Sequence, residues 1–152
     1  MFEAHTPASA DERRVVLAGV TDLPIGAQAL QHDLVGIEDG AVVTFEGVVR
    51  DHDEGRPVTA LRYSAHPTAG AAVLQVAREI TRQYPAVTVS VVHRTGDLVI
   101  GDCALACVVA SAHRREAFQA CAELVDLVKE RVPIWKEQHF GDGSTEWVNA
   151  IG

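Results

Sequence analysis

Lysine is scarce in this sequence: of thirteen basic residues only Lys129 and Lys136 are not arginine. Positive charge is scarce as a whole. The 21 acidic residues give a formal net charge of -8, which excludes a general nucleic-acid binder, because phosphate contacts need a surplus of Lys and Arg on one face. Long apolar runs are missing too. The longest, Cys103 to Ala112, has ten residues, about half of what a membrane-spanning helix needs. The stretch Met1 to Glu12 carries acids, Pro and Ser without the apolar centre of a signal peptide. The expectation is a frayed N-terminal segment, residues 1–12, ahead of one domain at 13–152 in a cytoplasmic protein, with no membrane contact.

Paired cysteines are absent as well. The three present form no framework, which suits a reducing compartment. Cys103 and Cys107 fall in a Val-rich and Ala-rich run that reads as a strand, where four residues span about 13 Å. That separation forbids a disulfide and a shared zinc ion. All three cysteines read as core residues. The seven histidines include no pair at i, i+4 or at short loop spacing, so no bound metal is expected. Nor is there a glycine-rich phosphate loop or a Gly-x-Ser-x-Gly elbow.

What is present fits one globular domain. The 152 residues are 47% apolar and 22% charged, and a chain of this length buries about 70% of its unfolded surface. Arg14 to Val20 reads as a short edge strand, Gly26 to Leu34 as a brief helix and Gly36 to Gly40 as a turn. Ala41 to Arg50 is rich in β-branched residues and reads as a strand. Asp51 to Pro57, DHDEGRP, reads as an exposed loop, and Val58 to Ala65 as the next strand, the two strands flanking the loop as a hairpin. A helix opens at Pro67, with Val73, Val76, Ala77, Ile80 and Tyr84 at helical spacing until Pro85. Val87 to Arg94 and Asp102 to Ser111 are further strands, joined across Gly96 and Gly101.

The last helix runs from Arg114 to Arg131, with Ala117, Phe118, Cys121, Leu124, Val125, Val128 and Val132 as its buried stripe. Pro133 stops it. Ile134 to Phe140 is extended, Gly141 to Ser144 a turn and Trp147 to Ile151 a last strand. This order predicts an α+β fold, with helices packed on one face of a mixed, largely antiparallel sheet.

Such folds host many functions, so the side chains must carry the argument. Lys129 falls at the margin of the helix stripe, where an aliphatic stem packs on the core while the amine reaches a cleft, and partial desolvation lowers an amine's pKa. Lys136 follows seven residues later, across Pro133. His113 and Arg114 open the helix where backbone amides are unpaired, and Arg50 ends a strand at the exposed loop. Two readings are open on spacing alone: a pocket that holds an anion beside a usable amine, or a set of surface charges and structural ion pairs.

The strings GAVVTFEGVVRDHDEG, LRYSAH, VVHRTGDLVIGD, VASAHRREAFQAC and LVKERVPIWKEQHFGDGSTEW occur in this order over residues 40–148. Together they resemble the large, catalytic subunit of molybdopterin synthase; KERVPIWK and SAHRREAF are the specific parts. The resemblance implies an α/β hammerhead-type fold and a sulfurtransferase activity. In that family, cyclic pyranopterin monophosphate gains two sulfurs as a dithiolene, and no cofactor is needed. The sulfur comes from the C-terminal thiocarboxylate of a small ubiquitin-like partner, and the large subunit forms a homodimer within a heterotetramer. It further implies Lys129 as the reactive lysine, Lys136 as a second pocket lysine, and Arg50, His113, Arg114 and Phe45 as substrate-binding residues. The family often carries an arginine near its C-terminus where this chain has Ile151, so Arg115 or the dimer partner is left to supply that contact. The competing expectation is a non-catalytic α+β module that binds a small protein or an anionic metabolite.

Overall fold

The computed structural model describes residues 14–149; the segment 1–12 and Ile151 lie outside the described residues. The elements in chain order are β1 (Val15–Thr21), α1 (Ala27–Leu34), β2 (Ala41–Val48), β3 (His52–Asp53), β4 (Arg56–Ala65), α2 (Ala69–Gln83), β5 (Thr88–Arg94), β6 (Gly96–Val99), β7 (Cys103–Ser111), α3 (Arg114–Arg131), β8 (Ile134–Phe140) and β9 (Thr145–Asn149). The class is α+β, as the order of apolar patterns predicts. Its strands form two sheets.

The first sheet has the order β1-β5-β7-β2. β1 lies at its edge, parallel to β5, while β5 with β7 and β7 with β2 are antiparallel. On one face, Val73, Val76 and Ile80 of α2 and Leu124 and Val128 of α3 pack against Val89, Val91, Leu105, Cys107 and Val109. On the other face, α1 sets Ala27 and Leu34 against Val108 and Ala110. Helices therefore cover both faces, not one. The reason lies in β7: Ala104 to Ser111 is buried at every position, and a strand apolar on both sides needs cover on both sides.

The second sheet has the order β3-β4-β8-β9, with β6 also paired to β4, and all its pairings are antiparallel. Here the expected hairpin of β2 and β4 is corrected, since β2 pairs with β7 and β4 with β8 and β6. The DHDEGRP stretch instead folds on itself. His52 and Asp53 pair with Pro57 and Arg56 across Glu54 (φ 49) and Gly55 (φ 78), the two successive left-handed residues that a tight two-residue hairpin demands. Val49 crosses between the sheets, its N–H donating to the Asp102 carbonyl at 2.9 Å. A small second core of Val49, Val58, Leu61, Leu98, Ala104 and Phe140 fills the seam there.

α2 begins at Ala69, two residues after Pro67, because His66 to Thr68 form a turn in which the Ala69 N–H donates to the His66 carbonyl at 2.9 Å. In α3 the expected stripe holds except at Phe118, which is 61% exposed. Phe118 lies about 100° round the helix from Ala117, and Ala120 takes its place in the buried set. Leu124 is fully buried at the centre of that stripe. Leu124→Ala is expected to lower stability by about 3 kcal/mol, the usual cost of deleting a buried leucine with its cavity. Ile37→Ala, at a fully exposed side chain, should stay within about 0.5 kcal/mol of the parent. Urea denaturation of the two variants checks both values.

Candidate functional site

A cavity of about 320 Å³ opens at the seam of the two sheets, within the size range of small-molecule sites. Four parts of the fold build it. The end of β2 and its exit supply Gly47 to Arg50; β5 and β7 supply His93, Ala104 and Leu105. The last turn of α3 gives Val128, Lys129 and Val132, and the second sheet gives Val58, Leu61, Tyr63, Ile134, Lys136 and Gln138, with His52 and Asp53 from the tight hairpin. A chain of net charge -8 thus gathers three cations and one carboxylate around one hollow.

Lys129, Lys136 and Arg50 are brought together here. The expected desolvation falls on a different lysine, however. Lys129 is exposed, whereas Lys136 is half-buried. Burial lowers the Lys136 pKa below the ordinary lysine value; the Asp53 carboxylate opposes the shift, and the charges of Lys129 and Arg50 add to it. Asp53 is also the partner of Arg50, with Nη2 to Oδ1 at 3.3 Å. One carboxylate thus acts on two of the cavity's three cations.

His113 and Arg114 are placed elsewhere. Both are exposed at the start of α3, and the 15 residues from Arg114 to Lys129 amount to about 22 Å of helix. One copy of the chain does not bring them to the cavity. Phe45 does not line it either. It sits partly buried against the main core with its ring beside Gly47, where an added Cβ would lie 3.5 Å from the ring, so it backs the cavity wall.

Sequence reasoning did not select Tyr63, His93, Asp53 or Gln138, all of which line the cavity. His93 Nδ1 donates to the Arg94 carbonyl at 2.7 Å, which leaves Nε2 as the acceptor nitrogen of a neutral ring. Burial pushes the His93 pKa down to about 4, with the Lys129 charge adding to the effect against the Arg94 hydrogen bond. The Tyr63 ring meets the His93 imidazole edge-on, with centroids 5.0 Å apart, and burial raises the phenol pKa. A second His-Arg pair, His93 and Arg94, was the one visible signal for this corner.

No cysteine lines the cavity. Cys107 and Cys121 are buried as expected, and Cys103 is half-exposed, its Sγ donating to the Leu105 carbonyl at 3.4 Å. Burial pushes the Cys103 and Cys121 thiols up to about 11 and raises Cys107 as well, so none is an activated thiolate. Among the described residues, no group of three or more His, Cys, Asp or Glu is placed to hold a metal ion, and no helix is long and apolar enough to cross a membrane.

The MoaE protein family matches residues 20–131, a span that includes Phe45, Arg50, His113, Arg114 and Lys129. The molybdopterin synthase catalytic subunit of Nostoc is 36% identical over 132 residues, covering 86% of this chain and 80% of that protein. Molybdopterin synthase catalytic subunit 1 of Mycobacterium tuberculosis is 38% identical over 130 residues, covering 85% of this chain and 88% of that protein. The crystal structure of molybdopterin synthase from Staphylococcus aureus superposes with a TM-score of 0.81 at 33% identity, over 86% of this chain and 96% of that one.

The buried neutral His93 sets a pH dependence. Its folded pKa of about 4 lies below the ordinary 6.5, so between these values the unfolded chain binds the proton and the folded chain does not. Its contribution is intact above pH 6.5 and falls by up to about 3 kcal/mol as the pH drops to 4. Urea denaturation at pH 7.5 and pH 4.5 is expected to show a smaller loss for His93→Gln than for the parent chain.

Proposed function

We propose, since the chain belongs to the MoaE protein family, that it is the catalytic subunit of a molybdopterin synthase. It takes sulfur from the C-terminal thiocarboxylate of a small ubiquitin-like subunit and delivers it to cyclic pyranopterin monophosphate, which becomes the dithiolene of molybdopterin. The observation that carries the site assignment is the placement of Lys129, Lys136 and Arg50 around one cavity in an otherwise acidic molecule. Both substrates are anions, and preorganised cations in a partly water-excluded hollow favour anions and the negative charge that develops on them.

The residues divide the work by environment. Arg50 offers a planar fork suited to a phosphate or thiocarboxylate once it leaves Asp53. The half-buried Lys136, with its lowered pKa, is suited to moving protons. Lys129, exposed at the rim, reaches the incoming tail, where its charge holds the thiocarboxylate while that sulfur bonds to the pterin. With no thiol of the chain lining the cavity, sulfur stays on the partner until it reaches the pterin. Three free cysteines suit a cytoplasmic setting.

His113 and Arg114 enter this scheme through a second copy. At about 22 Å from Lys129 along α3, they serve the cavity of the dimer partner and supply anion contacts there. Phe45 holds the wall at Gly47 and acts on substrate only through it.

In an assay with thiocarboxylated small subunit and the cyclic precursor, Lys129→Ala and Lys136→Ala are each expected to lower dithiolene formation about 100-fold or more. A variant with normal turnover removes that lysine from the chemistry, and a parent chain without product reduces the protein to a binding module. Arg114→Ala is expected to be impaired as well. Because the proposed dimer composes each site from two chains, refolding Lys129→Ala and Arg114→Ala together should restore about a quarter of parent activity, by random pairing with one intact site per mixed dimer. No recovery would place both residues in one chain's site.

A further inference from the structure

Gln138 is 2% exposed, and its Oε1 has no hydrogen-bond partner among the described residues. A buried amide left unpaired lowers stability, and most native buried polar groups are satisfied. Gln138 is also a cavity residue. On β8 it stands opposite Leu61 of β4, while Lys136 stands opposite Tyr63, so Gln138 and Lys136 share one face of the strand. They lie about 7 Å apart along it. On the opposite face, His139 Nε2 and the Glu137 carboxylate hold each other at 2.6 Å, so the unpaired group belongs to the cavity side alone.

The charges around the cavity explain how an anion is held, but not why an amide is kept unpaired beside them. A half-turn of the Gln138 amide exchanges Oε1 with Nε2 without displacing any other atom, so the group can present an acceptor, a donor or both. Such an amide pairs in two-point fashion with another amide. The sulfur-transfer reading, on which this inference rests, supplies two ligand amides that lie close to an anion. One is the lactam edge of the pterin ring, and the other is the peptide backbone just ahead of the thiocarboxylate.

We propose that Gln138 is a specificity-determining residue whose side-chain amide pairs with an amide of the bound ligand, about 7 Å along β8 from the anionic group held at Lys136. It discriminates against ligands that carry the charge but lack the amide, because binding those leaves Gln138 unpaired still.

The test uses Gln138→Met, which keeps length and removes the polar atoms. Thermal denaturation is expected to show Tm raised by a few degrees, because an unsatisfied buried group has been replaced by an apolar one. Calorimetric titration with the cyclic precursor alone, and separately with the small subunit bearing an ordinary carboxylate tail, is expected to show one of the two binding about tenfold more weakly. The ligand that weakens is the one whose amide Gln138 reads. A lowered Tm, which marks a structural role, or unchanged binding of both ligands overturns the proposal. If Gln138→Met does not fold, Gln138→Asn, whose amide is one methylene short, should show the same loss of binding, and unchanged binding by it overturns the proposal. Dithiolene formation by the parent chain is followed in the same preparations. Its absence sinks the sulfur-transfer reading, while the two titrations still decide the role of Gln138.

Discussion

Two residues reverse the chain between α3 and β8, and the site depends on that reversal. The helix ends at Arg131 and the strand begins at Ile134. The Val132 N–H still donates to the Val128 carbonyl at 3.0 Å, while the Val132 backbone itself is already extended (φ -80, ψ 124), so the turn out of the helix is made at the residue before Pro133. The Pro133 carbonyl then accepts from the His66 N–H at 3.0 Å, which ties the reversal to the end of β4. Proline fits this place because it cannot extend the helix and offers only an acceptor. Lys129, on the last turn, and Lys136, on the new strand, are seven residues apart in sequence and face one hollow. Loosening this bend would separate the amines without touching either.

The cavity is cationic only locally. At physiological ionic strength, charges more than about 8 Å apart are largely screened, so the acidic surface of the molecule neither repels an anion from a distance nor cancels the field within the hollow. Asp53 tempers that field. Its carboxylate lies against Arg50 and raises the pKa of Lys136 against the lowering by burial. An anion entering beside Arg50 competes with Asp53 for the guanidinium. Its site at the end of a two-residue hairpin with both central residues left-handed holds this counter-charge in a defined place.

The sequence made local structure legible, but not which strands pair. The boundaries of α3 could be read from Ser111 to Pro133 because the apolar period and the terminating proline agree. Lys129 and Lys136 could be joined across Pro133 for the same reason. The partner of β2 was out of reach, because period-two patterns mark a strand and its faces without naming its neighbour. A loop with Gly and Pro between two strands therefore looked like their hairpin, when the chain was crossing from one sheet to the other. Gln138 was hidden for a related reason. It lies in a strand of mixed polarity, IWKEQHF, where only the register with Leu61 shows that it faces inward. The α3 helix misled in one respect. Lys129 and Phe118 both occupy its margin, and the structure leaves both in solvent, so desolvation went to the lysine on the strand.

The cavity has two chemical zones, and their contrast limits what it can do. Arg50, Lys129 and Lys136 supply charge, whereas His93, Tyr63 and Gln138 supply neutral hydrogen-bonding groups. Burial keeps the imidazole uncharged at neutral pH and the phenol protonated, so the neutral zone adds no repulsion toward the lysines. A simple anion would use only the first zone. A ligand with a charged end and a hydrogen-bonding body uses both, and its reactive atom then sits between groups whose protonation states differ by construction. The cysteines do not share this environment: burial raises the pKa of all three thiols, and at Cys103 the Glu46 charge adds to it. The cavity therefore offers amines and no thiol, and any sulfur transferred there has to arrive already activated on another molecule.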